Sequence, residues 1–181
     1  MEQSNIRINR RNEAAKYGIV FGLISAAYLF IGHLQISSGT VSTFSSFIGI
    51  TIWMAKFVGC IILMKYVMHK FVSANPGATK SDLFKLGALI AMFSALIYSV
   101  ITVADQIYII PEYYQGLYDV ALEEYSKVLN EDQMREIKSM LTNAPKISFF
   151  ITFLYCVIYG TVLSLILSQT VPTGNQINNE Q

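Results

Sequence analysis

Charge is what this sequence is short of. Only 14% of its 181 residues are Asp, Glu, Lys or Arg, against about a quarter in an ordinary soluble domain. Apolar residues make up 53% and the mean hydropathy is +0.44, so the chain is expected to lie in a bilayer. Two cysteines, Cys60 and Cys156, both fall inside apolar runs. They give neither a disulfide framework nor a thiolate metal centre and read as small, polarizable packing residues. His33 has no second His or Cys at ligand spacing, so neither a metal nor a cofactor is expected. The bases are scattered at the edges of apolar runs rather than gathered on one face, which excludes a nucleic-acid partner. Walker, H-E-x-x-H and G-x-S-x-G patterns are missing, as are paired intramembrane carboxylates, and the reading is of a chain that is not an enzyme. No glycosylation or lipidation pattern is present either.

What is there is a set of long uncharged runs. After a polar, basic start (Arg7, Arg10, Arg11, Lys16), residues 17–36 carry no formal charge, about the 20 residues that cross a ~30 Å hydrocarbon core. The run is too long for the apolar part of a cleaved signal. Residues 37–46 are short, uncharged and rich in turn formers, which predicts a tight hairpin. Further spans follow at about 47–64, interrupted only by Lys56, at 86–104 with a continuation toward Ile110, and at 147–167. Asn75, Pro76 and Gly77 mark a turn, and Thr79 with Asp82 makes a capping pair for the third span. The expected fold is an all-α membrane protein, a single four-helix transmembrane domain over 1–168. Its tail, 169–181, is polar and aperiodic and reads as disordered and cytoplasmic.

Between spans three and four lies the one long water-compatible stretch, 111–145. Residues 112–146 hold seven acids and four bases, a net −3 in a chain whose total is +1. Tyr114, Leu117, Tyr118, Ala121, Leu122, Tyr125, Val128 and Leu129 recur at helical spacing. A second amphipathic helix starts at Asn130, capped with Gln133, and carries Met134, Ile137, Met140 and Leu141 on one stripe. The tyrosines Tyr108, Tyr113, Tyr114, Tyr118 and Tyr125 read as an interfacial aromatic set. Lys and Arg crowd the N-terminus and the loop between spans two and three (Lys65, Lys70, Lys80, Lys85), while the first hairpin has none. By the positive-inside rule both termini are cytoplasmic and 111–145 faces the periplasm of a bacterial inner membrane. Its apolar faces must settle on the bundle, on the membrane interface, or on a membrane or periplasmic protein partner.

Lipid tails give helices no hydrophobic reason to associate, so small residues that admit close backbone approach are the packing signal. Gly18, Gly22 and Ala26 form such a ridge on span one; Gly87, Ala91, Ala95 and Ser99 form one on span three. On span four, Ser148, Thr152, Cys156, Gly160, Ser164 and Ser168 recur every four residues. That step drifts about 40° per repeat on a 3.6-residue helix, which predicts that the two halves of the ridge serve different neighbours. Packing within one bundle is the expected use, with a homodimer through one ridge as the alternative.

Lys56 is the outlier, an ammonium near mid-span where charge costs roughly 3 kcal/mol on insertion scales. Side chains lean toward the N-terminal end of their helix, which carries Lys56 outward. His33 on span one and Asp105 on span three lie at similar depth, so His33, Lys56 and Asp105, with Gln35, Gln106 and Tyr108 nearby, are expected to meet beneath the acidic segment. There Lys56 either snorkels and is satisfied by Asp105, water or carbonyl groups, or serves a small transporter or ion/proton conduit as a relay or as the counter-charge for a small anionic ligand.

The order of parts also resembles a family of small integral membrane proteins of unknown function found mainly in Bacteroidetes-type bacteria. KYGIVFGLIS (16–25), KSDLFKLGALIAMFSALIY (80–98), IIPEYYQ (109–115), LNEDQMREIKSML (129–141) and Pro145 before the last span carry the likeness. It implies four membrane helices and supplies no activity or catalytic residue. The leading expectation is a non-enzymatic structural or interaction module working through 111–145.

Overall fold

The computed structural model describes the backbone of residues 2–37 and 43–173; the side chains at 2, 4, 34–37, 43–46 and 48 fall outside that description. The helices are α1 (Glu2–Ser37), α2 (Thr43–Ala74), α3 (Lys80–Ala104), α4 (Pro111–Ser126), α5 (Glu131–Thr142) and α6 (Ala144–Thr170), and α3 runs on into a π turn at Asp105–Ile109. Four stretches, Asn5–His33, Gly49–Ala74, Lys80–Ile109 and Ala144–Thr170, are long and apolar enough to cross a membrane. Among the described residues there is no strand. This is an all-α membrane protein with two amphipathic helices between its third and fourth membrane helices. The predicted hairpin at 37–46 lies largely outside the described residues, as does the tail beyond Thr173.

The helices outrun the apolar runs that announce them. At 1.5 Å per residue, stretches of 26 to 30 residues reach about 39–45 Å, longer than the ~30 Å hydrocarbon core. The polar start of the chain is helical because 2–16 contains neither Pro nor Gly and is rich in straight-chain residues. Arg10 then anchors it to Asp82 at 2.6 Å, and Asn9 Nδ2 donates to Asn75 Oδ1 at 3.2 Å. Beyond Met64, α2 continues because Val67, Met68, Phe71 and Val72 form one buried face. It stops where Pro76 and Gly77 follow Asn75, whose side chain donates back to Phe71 O at 2.9 Å. Thr79 and Asp82 then close a capping box that starts α3, as Asn130 and Gln133 do for α5.

α3 is the centre of the bundle. α1 lies parallel to it, since Gly18 meets Phe93, Gly22 meets Ile97 and His33 meets Asp105 in the same order along both helices. α6 lies antiparallel, with Ser164 beside Gly87 and Gly160 beside Ala91, while Gln106 Nε2 donates to Ser148 Oγ at 2.8 Å. Ala26, Ala91 and Ala95 are buried in the same contacts. Gly18 and Gly22 of the first ridge, Gly87 and Ala91 of the second and Gly160 and Ser164 of the third are thus engaged in contacts within the chain.

The α6 ridge does not divide between two neighbours as its drift predicts; α3 receives it at both ends. The reason is that α3 carries a four-residue row of its own, Gly87-Ala91-Ala95-Ser99. When rows of that step pack against each other the helices cross, and the crossing absorbs the drift.

The buried core sits at the end of the bundle that holds the termini, here the proximal end, where Ala14, Met68, Leu83, Leu86 and Ile90 have no exposed surface. Lys80 Nζ donates to Gln169 O at 3.0 Å and Val171 O at 2.5 Å, and Val171 is fully buried. Disorder is expected from 169 on, but residues 169–173 are placed, because Lys80 at the start of α3 holds carbonyls at and just past the end of α6. At the opposite, distal end α2 leans away: Phe47, Ile50, Trp53 and Met54 are all more than half exposed.

Overpacking a tight site costs about 1–3 kcal/mol. Gly18→Leu and Gly160→Leu should therefore lower the Tm of the detergent-solubilised protein by several degrees, since a Cβ at either position collides with Phe93 or Ala91. Gly59→Ala, with nothing within 4 Å of the added carbon, should leave it unchanged. A Gly160→Leu protein as stable as Gly59→Ala would show that α3 and α6 are not in close contact.

Candidate functional site

The distal polar residues gather where α3 gives way to the π turn. Pro111 has no N–H to continue a helix and disfavours helical geometry in the residue before it. Ile110 accordingly leaves the helix, at φ −133° and ψ 54°, and its N–H bonds five residues back to Asp105 O at 3.0 Å. Pro111 then opens α4 at its first position, where a missing N–H costs nothing. Widened turns of this kind recur at functional sites.

Asp105 is fully buried and joins three helices. Its Oδ2 lies 3.1 Å from His33 Nε2 on α1 and accepts from the Tyr114 hydroxyl on α4, also at 3.1 Å. The His33 ring stands edge-on to Phe30, centroids 5.7 Å apart. Burial, then the hydrogen bond to Asp105 and its negative charge, push the Tyr114 phenol up to about 12, so it stays a donor to the carboxylate throughout the physiological range. Three buried polar atoms here have no protein partner: Ser99 Oγ, Asp105 Oδ1 and Gln106 Oε1. The arrangement can hold a proton between His33 and Asp105, and it fastens the start of α4 to the bundle.

Lys56 does not join it. Its ammonium turns into the cleft between α1 and α3 and lies over two aromatic rings, 4.6 Å from the Tyr28 centroid and 5.5 Å from that of Tyr98. Desolvated cation–π contacts return about 0.5–2 kcal/mol each, enough to offset a mid-span charge that costs roughly 3 kcal/mol. That offset explains why no carboxylate is required. Tyr108, expected near the cluster, points away and is 80% exposed; the side chain of Gln35 lies outside the described residues. Sequence reasoning missed the tyrosine pair, although the signal was present: Tyr28 and Tyr98 stand near mid-span on two helices at the depth of Lys56. Beside them a cavity of about 150 Å³ opens among α1, α2 and α3, with Leu29, Gly32, Gly49 and Ile52 also in its walls. Among the described residues no group of three His, Cys, Asp or Glu could hold a metal ion.

A family model described as "Protein of unknown function (DUF4199)" matches residues 16–171, which take in every residue of this site. No curated protein matches the chain, and no solved structure does.

Removing the hydroxyl in Tyr114→Phe should cost about 1.5–3 kcal/mol, as for hydrogen bonds to charged groups. It should appear as faster hydrogen exchange in 111–126 with the membrane helices unchanged. A phenol whose folded pKa stands above its unfolded value stabilises the fold fully below the unfolded value, 10.0, and loses that contribution as pH rises to about 12. Wild type should therefore lose stability over that window more steeply than Tyr114→Phe, by thermal melts at graded alkaline pH. Parallel curves would rule out the bond to Asp105.

Proposed function

This chain belongs to the DUF4199 family of proteins of unknown function, and from that premise we propose that it is an interaction module of the bacterial inner membrane, using the α4–α5 arm to engage a protein partner. The observation that carries this reading is that neither α4 nor α5 contains a buried residue, although both are amphipathic. Val128 is 78% exposed, Val120 62% and Met140 53%. Helices of this length are marginal in water without a covered face. The arm has almost no linker on either side: Pro111 follows the π turn after one residue, and Ala144 follows α5 after one. It is therefore held at the distal end of the bundle, with the Tyr114–Asp105 bond fixing its root.

The partner is a protein rather than the lipid surface because the arm is acidic. Anionic leaflets recruit amphipathic helices with basic polar faces, whereas 112–146 carries a net −3. A protein with an apolar groove and a basic rim suits it better. The Lys and Arg distribution puts the termini and the α2–α3 loop in the cytoplasm and the arm in the periplasm. An ion or proton conduit fits less well, because the proximal half is filled by Met68, Leu83, Leu86 and Ile90, all fully buried. Polar groups confined to one half make a pocket rather than a path.

Two measurements test the proposal. In intact cells a membrane-impermeant maleimide should label Ser126→Cys, and should reach Ser73→Cys only after lysis; the reverse pattern would invert the topology. A photocrosslinker at Val128 or Val120 in native membranes should join the chain to a second polypeptide, and that product should fall several-fold when Leu117 and Met140 are made Asp. Crosslinks confined to lipid or to the chain's own bundle would refute the proposal.

A further inference from the structure

At the proximal end two lysines from different helices converge on one tyrosine. On α1, Lys16 Nζ lies 5.6 Å from the centroid of the Tyr17 ring; on α2, Lys70 Nζ lies 5.9 Å from it. Lys70 also donates to the Tyr17 hydroxyl at 3.2 Å, so its ammonium stands at the hydroxyl end of the ring. The ring is buried, whereas both lysines are exposed and open to whatever lies against the seam of α1 and α2. Among the described residues neither ammonium has a carboxylate within ion-pair distance. The hydroxyl, an acceptor for Lys70, has no acceptor there for its own proton. Glu13, one turn before Tyr17, is within electrostatic reach of Lys70, and one carboxylate against two ammoniums leaves the place positive.

The level of this contact defines the occupant. The uncharged run of α1 begins at Tyr17, and a run of about 20 residues fills a ~30 Å core, so Lys16, Tyr17 and Lys70 meet where hydrocarbon gives way to headgroups. Tyr66, within electrostatic reach of Lys70 and 56% exposed, suits the same edge, where interfacial tyrosines sit. Distal to it the exposed surface is apolar: Ile19 and Leu23 follow Lys16 along α1, and Ile62 lies one turn from Tyr66 on α2, each exposed by half or more. A ligand there must bring negative charge, offer oxygens to two ammoniums and a hydroxyl, and cover hydrocarbon with hydrocarbon. A zwitterionic lipid would set a third cation beside the two lysines. We propose that Lys16, Tyr17 and Lys70 bind the phosphate of an anionic glycerophospholipid whose acyl chains lie over Ile19, Leu23 and Ile62. Basic pockets between membrane helices hold acidic headgroups in this way. Free phosphate shares the head chemistry but has no chains for the apolar surface. The site is at the opposite end of the bundle from the α4–α5 arm and does not rest on the arm's role.

The test counts the lipids that the full-length protein keeps. The protein is taken from nanodiscs of phosphatidylcholine and phosphatidylglycerol with matched chains, and its retained lipids are identified by native mass spectrometry. Wild type should retain phosphatidylglycerol over phosphatidylcholine by about 10-fold relative to their ratio in the disc, the equivalent of about 1.4 kcal/mol. The preference should fall to near one when Lys16→Gln and Lys70→Gln are combined, a change confined to exposed side chains. It should persist when Arg7→Gln and Arg11→Gln are combined, which removes the same charge from exposed positions on α1 away from Tyr17. Equal retention of the two lipids by wild type overturns the proposal without any variant having to fold. So does a preference that survives the loss of both lysines, or one that falls equally in the two double variants, since diffuse charge then suffices. Displacement of phosphatidylglycerol by inorganic phosphate overturns the assignment to a lipid.

Discussion

The close approach of α3 to α1 on one side and to α6 on the other is the contact on which the rest of the structure depends. In lipid, apolar side chains gain nothing by leaving one hydrocarbon for another, so helices that associate must do so through backbone proximity and packing. Gly18 and Gly22 let α1 come against Phe93 and Ile97, while Gly87 and Gly160 let α3 and α6 meet at Ser164 and Ala91. On α2, by contrast, Gly59 faces open space. α2 therefore joins the bundle most closely where its own large residues, Met64, Met68 and Phe71, reach the proximal core. Its departure at the other end opens the cavity beside Lys56.

Two unlike halves result. The proximal half is closely packed and tied across the helices by polar side chains near their ends: Arg10 to Asp82, Lys80 to the end of α6, and Lys70 Nζ to the Tyr17 hydroxyl at 3.2 Å. The distal half holds three buried polar atoms that lack protein partners, Ser99 Oγ, Asp105 Oδ1 and Gln106 Oε1, the cavity and the turn at Ile110–Pro111 from which the arm springs. Rigidity at one end lets the other carry costly groups. A buried carboxylate survives on α3 because α1 and α6 hold that helix along its length, so Asp105 meets His33 in a fixed geometry.

Much of this was legible in the sequence, and the limits have physical causes. The four membrane helices follow from run length, the starts of α3 and α5 from Thr79 with Asp82 and Asn130 with Gln133, and the His33–Asp105 encounter from depth matching between two helices joined through one hairpin pair. Helix ends were less legible, because hydropathy marks where a helix is apolar and not where it stops. The packing of the α6 ridge is not legible from α6 alone, because the step on its partner decides whether crossing can absorb the drift. Lys56 was misassigned for a related reason. A charge in an apolar run suggests an opposite charge, whereas the electron-rich face of a tyrosine does the same work and carries no sign in a charge count.

That substitution has a further consequence. Lys56 and Asp105 lie in the same half of one small bundle, with Tyr98 beneath the ammonium and within electrostatic reach of the carboxylate. Two opposite charges so placed would ordinarily be expected to pair, since burying them apart exposes each to its own desolvation cost, while a pair with good geometry roughly breaks even. The fold keeps them separate, giving Asp105 to His33 and Tyr114 and Lys56 to two rings. The cost of that choice is borne at both places by polar atoms left open, Oδ1 of Asp105 and the donors of Lys56. A bundle whose only task was to stand in the membrane would gain stability from the direct pair, or from two leucines. Keeping the two groups and denying them each other leaves one basic and one acidic residue in the same half of the protein, the acidic one at the root of the arm and the basic one over two tyrosine rings.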